Sequence, residues 1–137
     1  MPTAREIMTP NVTCIGEKES LAEAAHKMAD LGVGSLPICG DDNRLKGMIT
    51  DRDIVLQAVA KDRNPADITA GELGGGKPVT IGADDDAVEI LRTMAQHKVR
   101  RLPVIDGHQL VGIVAVADVA RALPDRPVGD LIDAISE

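Results

Sequence analysis

The sequence contains no Phe, Tyr or Trp. Any core built from it must be Leu, Ile, Val, Ala and Met. Without an aromatic ring no base can be stacked, which argues against single-stranded nucleic acid as a partner. Cations are also outnumbered: 15 Lys and Arg against 22 Asp and Glu leave a net charge of −7. That balance disfavours non-specific binding to DNA or to an anionic membrane. No run of about 18 apolar residues is present, so no membrane-spanning helix is predicted. Met1 to Glu6 lacks the apolar stretch of a signal peptide, and the expected compartment is the cytoplasm. Cysteine is scarce. Cys14 and Cys39 form no Cys-x-x-Cys, and His26, His97 and His108 are not spaced around them as ligands, so no metal site is expected. In a reducing compartment the two thiols are expected to be buried, reduced and packed as small hydrophobes; a disulfide is the alternative.

What is present is enough for one compact domain: 137 residues, 44% of them hydrophobic. The chain contains itself twice. At an offset of 66 residues, Ala4, Glu6, Ile15, Gly16, Glu23, Met28, Ala29, Val33, Leu36 and Pro37 fall on Ala70, Glu72, Ile81, Gly82, Glu89, Met94, Ala95, Val99, Leu102 and Pro103. After a one-residue loop difference, Leu45, Gly47 and Asp53 fall on Leu110, Gly112 and Asp118. Helix starts repeat in the same register: Thr3/Glu6 and Thr69/Glu72, then Ser20/Glu23 and Asp86/Glu89, all with capping-box spacing. Shared core positions and shared caps indicate a duplication.

Each copy predicts a short lead-in helix (Thr3 to Met8; Thr69 to Leu73) and a short strand (Val12 to Ile15; Val79 to Ile81). An amphipathic helix follows, with Leu21, Ala24, Ala25, Met28 and Leu31 on one face and Gly32 as its stop. Ala87, Ile90, Leu91 and Met94 repeat that face. Two strands joined by a turn come next (Ser35 to Cys39 and Leu45 to Thr50; Arg101 to Ile105 and Leu110 to Ala115). A closing helix ends each copy (Asp51 to Ala60; Val116 to Leu123). The order is βαββα, twice. Residues 1–60 form the first motif, 61–69 a polar linker broken by Pro65, and 70–123 the second motif. Residues 124–137 form a tail whose Val128, Leu131, Ile132 and Ile135 predict a short helix.

Gly47-Met48-Ile49-Thr50-Asp51-Arg52-Asp53 is the stretch with chemistry in it. A strand ending in a hydroxyl and turning into a helix offers N–H donors to an anion, and Thr50 adds an O–H. Asp53 can accept two hydrogen bonds from a ribose diol. The competing reading is a plain helix start, with Thr50 or Asp51 as cap and Asp53 favouring the dipole. Other stretches carry less. Gly71 to Pro78 nearly spells a phosphate-binding loop, but Pro78 stands where the magnesium-binding hydroxyl belongs and a strand follows instead of a helix. Asp84, Asp85 and Asp86 read as helix-start acids rather than metal ligands. No nucleophile–base pair can be assembled, and no enzyme activity is expected.

Two βαββα copies, each ending in Gly-h-h-(Thr/Ser)-x-x-Asp with h apolar, resemble a pair of CBS domains (cystathionine β-synthase domains). Gly-Ser-Leu-Pro-Ile at 34–38 and Arg-Arg-Leu-Pro-Val at 100–104 are similar to the family's second strand. The resemblance covers about residues 4 to 123. It implies an α/β (α+β) fold in which tandem CBS motifs pack with pseudo-twofold symmetry as a Bateman module. It also implies up to two sites for AMP, ADP, ATP or S-adenosylmethionine in a cleft between the halves, with no obligatory cofactor. In such a site Thr50 would contact phosphate and Asp53 the ribose. Asp51 and Arg52 lie within the same motif, backbone near Val12 would frame the adenine, and Pro37 lies on the matching second strand. Such modules commonly form homodimers, and a partner protein would read the ligand-induced change. The second copy departs from the pattern: Ala115 replaces the hydroxyl, leaving Asp118 to hold a ribose. The first site is therefore expected to be the better one. Arg100 and Arg101 would neutralise phosphate or else form surface salt bridges. The alternative function is a ligand-independent dimeric interaction or stress-response module with degenerate nucleotide sites. Cys14 and Cys39, at strand ends within one copy, would stiffen it if bridged.

Overall fold

The computed structural model describes residues 1–74 and 78–123. Its elements follow from their caps. Thr3 stands at the N-cap of α1 (Ala4–Ile7), where the Glu6 carboxylate accepts the Thr3 N–H at 3.3 Å, and the helix leads to β1 (Thr9–Pro10) and β2 (Ile15–Gly16). Ser20 Oγ accepts the Glu23 N–H at 3.1 Å and starts α2 (Leu21–Leu31). That helix buries Leu21, Ala24 and Met28 and ends where Gly32 adopts φ 67°, a conformation that costs glycine no side-chain clash. β3 (Ser35–Cys39) and β4 (Leu45–Thr50) pair antiparallel, and β4 runs into α3 (Asp51–Ile54). The second copy repeats this with α4 (Ala70–Leu73), β5 (Ile81–Gly82), α5 (Ala87–His97), β6 (Arg101–Asp106), β7 (Gln109–Ala115) and α6 (Val116–Ala122). Asp86 caps α5 by accepting the Glu89 N–H at 2.9 Å. Lys98, with φ 54°, takes the left-handed role that Gly32 has in the first copy.

The sheets are equally parallel in logic. β2 pairs parallel to β3 and β3 antiparallel to β4; β5 pairs parallel to β6 and β6 antiparallel to β7. Each hairpin carries a register shift at the same place, Ile38/Cys39 and Val104/Ile105. One core gathers Ile15, Leu21, Met28, Ile38, Ile49 and Ile68, the other Ile81, Ile90, Met94, Leu102, Val104 and Val114. Among the described residues, no helix is long and apolar enough to cross a membrane.

Three features differ from the sequence-based expectation. The first strand of each copy is shorter and later than Val12–Ile15 or Val79–Ile81, because its ladder with the second strand covers only Ile15–Gly16 and Ile81–Gly82. The closing helix of the first copy is α-helical only to Ile54 and continues as a π-helical turn, Val55–Val59, with the Ala60 N–H bonded to the Val55 carbonyl at 2.8 Å. The compact units also exchange their lead-in segments. One unit is Thr13–Pro78; the other combines Met1–Val12 with the chain from Val79 onward. Hence Ala4 and Arg5 donate to the carbonyls of Asp85 and Ala83 at 2.8 and 2.9 Å, while Ala70 and Gly71 donate to Glu19 and Glu17 at the same two distances. β1 adds to the exchange by pairing with β7, Thr9 opposite Ile113 and Pro10 opposite Gly112. The short β2 and β5 follow from this, since the chain passes between units just before each of them. The predicted tail, 124–137, and Gly75 to Lys77 lie outside the described residues.

Candidate functional site

The exchange explains the motif glycines. A Cβ on Gly47 would stand 2.5 Å from the Gly74 carbonyl oxygen, and one on Gly112 would stand 2.5 Å from Met8 Sδ and 2.7 Å from the Thr9 carbonyl oxygen. Gly74 and Met8 are counterparts, 66 positions apart. In each unit the last strand therefore needs a glycine where the lead-in segment crosses it.

Three residues on, the strand turns into a helix. In the first copy the Thr50 N–H donates to Asp53 Oδ2 at 2.9 Å, and the Asp53 N–H donates to Thr50 Oγ1 at 3.1 Å. This reciprocal capping box holds both side chains, each half-buried, at the mouth of the β4–α3 junction. Ser35 lies opposite Thr50 in the ladder, and the Asp51 N–H donates to the Gly34 carbonyl at 2.9 Å. The cap uses one lone pair of the hydroxyl and one carboxylate oxygen. It leaves the Thr50 O–H proton to donate, and among the described residues Asp53 Oδ1 accepts no hydrogen bond. The helix-start reading and the ligand reading are thus compatible at this junction.

The second copy keeps the backbone and loses the chemistry. The Val116 N–H donates to the Arg100 carbonyl at 2.9 Å, as Asp51 does to Gly34. The Ala115 N–H donates to Asp118 Oδ2 at 2.7 Å. Ala115 has no side-chain acceptor to return, so only half of the box forms. Asp118 Oδ1 is bonded to Arg121 Nη2, and the carboxylate is only 11% exposed. Both oxygens of Asp118 are therefore engaged. Arg121 was not among the residues anticipated; its spacing, three after an acid on a helix, is the signal that could have found it. In the first copy Leu56 stands at that position.

The remaining anticipated residues are scattered in role. Asp51 is exposed and accepts the Arg52 N–H at 2.8 Å, and Arg52 is exposed. Arg100 lies just before β6 rather than on it; Arg101 opens β6 opposite Ala115; both are exposed, and neither forms an ion pair with a described residue. Pro37 is buried in β3 opposite Met48. Val12 is half-buried in the irregular stretch between β1 and β2, not on a strand. Cys14 and Cys39 are joined by a disulfide with Cα atoms 5.8 Å apart. That replaces the expected pair of reduced thiols: Cys14 immediately precedes β2 and Cys39 ends β3, where it pairs with Gly16, close enough to bridge. Lys27 reaches the same place, donating to the Cys14 carbonyl at 3.2 Å and to Glu19 Oε1 at 3.3 Å. The Gly16 N–H, which donates to Glu19 at 2.9 Å, and then Lys27 hold that carboxyl below its ordinary pKa. Among the described residues no three His, Cys, Asp or Glu side chains converge as metal ligands.

Two pseudo-equivalent βαββα copies, each with a glycine-crossed strand and an acid-capped closing helix, define a tandem CBS pair. The CBS domain family matches residues 4–59 and 70–125, and the chain belongs to it. Within the family it is similar to hypoxic response protein 1 of Mycobacterium tuberculosis, at 49% identity over 98% of this chain and 94% of that protein. A solved structure of hypoxic response protein I with two coordinated zinc ions superposes with a TM-score of 0.84 at 51% identity, over 90% of this chain and all of that one. CBSX2 in complex with AMP superposes with a TM-score of 0.76 at 26% identity, over 89% of this chain and 96% of that one.

Proposed function

We propose that this chain is a regulatory CBS pair that binds an adenosine nucleotide through the β4–α3 junction of its first copy. The observation that carries the reading is the state of two side chains. Thr50 still has an O–H proton to donate toward a phosphate, and Asp53 Oδ1 has no described partner and is open to a ribose diol. The AMP complex of a CBS-pair relative supports the ligand class. The second copy, with Ala115 and an Arg121-bound Asp118, contributes weakly or not at all. The chain acts without catalysis, in the cytoplasm, as a homodimer whose packing changes on binding and is read by a protein partner.

Calorimetric titration with AMP, ATP and S-adenosylmethionine tests this. Wild type and Asp118→Asn bind at one site per chain. Asp53→Asn does not bind, although its side-chain oxygen can still accept the Thr50 N–H and keep the cap. Absence of heat from all three ligands would overturn the reading. A second reading draws on the capping box itself: Thr50 and Asp53 already satisfy one another, so the junction is complete without a ligand. Under it the protein is a ligand-independent interaction or stress-response module, and that same absence of heat supports it.

A further inference from the structure

The chain spends both of its cysteines on one bridge, closing a separation of 25 residues. The bridge belongs to the first copy alone. The second has Thr80 and Ile105 at the corresponding positions. It nevertheless builds the same pairing, Ile81 with Val104 and Gly82 with Ile105, and the same exit bond, with the Ala83 N–H donating to the Ile105 carbonyl at 2.8 Å where Glu17 donates to Cys39 at 3.0 Å. The fold therefore forms this corner without a cross-link, and the bridge needs another reason.

Its position supplies one. The chain leaves one compact unit and enters the other between Val12 and Thr13, and Cys14 is the second residue after that passage. The bridge fastens it to Cys39, the last residue of β3. The first residue of β3, Ser35, lies in register with Thr50. One five-residue strand thus runs from the bridge to the candidate nucleotide site. Of its two ends, Cys14 is half-buried and Cys39 is 5% exposed, so Cys14 is the less buried residue.

We propose that the Cys14–Cys39 disulfide is a redox gate on the nucleotide site of the first copy: bridged, it holds the incoming segment and β3 in the binding arrangement, and opened, it releases them and weakens binding. The gate rests on the nucleotide reading above. Opening is by a cellular dithiol. Its first thiolate attacks Cys14 Sγ, the S–S bond breaks, and Cys39 leaves as a thiolate that takes a proton. The second thiol of the reductant then attacks the mixed disulfide, Cys14 leaves as a thiol, and the reductant departs as its own disulfide. Two electrons and two protons pass to the protein.

The test uses dithiothreitol as the dithiol and AMP and ATP as ligands. Oxidised wild type, reduced wild type and Cys14→Thr/Cys39→Ile, which copies the second repeat, are titrated side by side. Intact mass before and after reduction confirms the redox state. Amide hydrogen exchange at Thr13 to Gly16 gives a readout that needs no ligand. The expected result is affinity about tenfold lower in both unbridged forms, within the range usual for coupled sites, together with faster exchange at those amides. Equal affinity in all three forms, or tighter binding after reduction, would overturn the gate and leave the nucleotide reading standing. No binding in any form would overturn both. Should the double variant fail to fold, reduced wild type alone decides between these outcomes.

Discussion

The β4–α3 junction and the β7–α6 junction share a backbone and differ in what their side chains are free to do. Both place an Asp three residues into the turn, and both Asp carboxylates accept the N–H of the last strand residue, at 2.9 and 2.7 Å. At the first, a threonine returns the hydrogen bond and, among the described residues, one carboxylate oxygen accepts nothing. At the second, alanine returns nothing and Arg121 takes the other oxygen. A duplicated fold can thus preserve its architecture through backbone bonds and caps while the side chains at its two junctions differ in which polar atoms they engage. Stability asks only that the N–H groups of the turn be satisfied, whereas binding asks for polar atoms left over.

The comparison breaks most severely at the element the two junctions share. Gly47→Ala and Gly112→Ala each drive a Cβ into a backbone carbonyl of the docked lead-in segment. Each is expected to cost about 2 kcal/mol, as overpacking of a fixed contact does. Urea unfolding followed by circular dichroism measures this, there being no Trp or Tyr to follow by fluorescence. A neutral result at either position would mean that its lead-in segment does not dock there.

The difference between the junctions can be reversed. Ala115→Thr restores the hydroxyl and completes the cap, with an expected gain of about 1 kcal/mol. Adding Arg121→Leu, the residue type found in the first copy, frees Asp118 Oδ1. The pair of changes is expected to raise nucleotide stoichiometry from one to two per chain by calorimetry. If stoichiometry stays at one while stability rises, the hydroxyl and the freed oxygen suffice for capping but not for binding.

The smallest expected effect lies at the helix ends. Lys98 holds the left-handed conformation that Gly32 holds in the first copy. Lys98→Gly should stabilise by somewhat under about 1 kcal/mol, the relief of a left-handed side chain less the extra freedom of glycine in the unfolded state. The same denaturation series reads it.

Much of this was legible in the chain. The doubled Thr/Glu, Ser/Glu and Asp/Glu spacings marked helix starts that the structure confirms at Thr3, Ser20, Thr69 and Asp86. Ser35–Cys39 and Leu45–Thr50 appear with the bounds predicted for two strands flanking a turn. Capping and turn placement are rules over neighbours, so neighbours sufficed. The site was legible only in part. The mutual capping of Thr50 and Asp53 was legible from residue type and spacing, and the Arg121–Asp118 pair from its helical spacing. Pro37 could be placed on its strand from the sequence, but not its burial, which depends on what packs against that strand.

The sequence by itself determined that there are two βαββα copies, where their helices start, and that only the first carries the full Gly-h-h-Thr-x-x-Asp pattern. It could do so because caps, turns and periodic faces are set by residues within a few positions of one another. The tertiary structure alone decided that each lead-in segment docks on the strand of the other copy, that the motif glycines exist to let it pass, and that Cys14 and Cys39 meet. Those outcomes depend on contacts between residues tens of positions apart, and no local spacing encodes which of two equivalent partners a segment will choose.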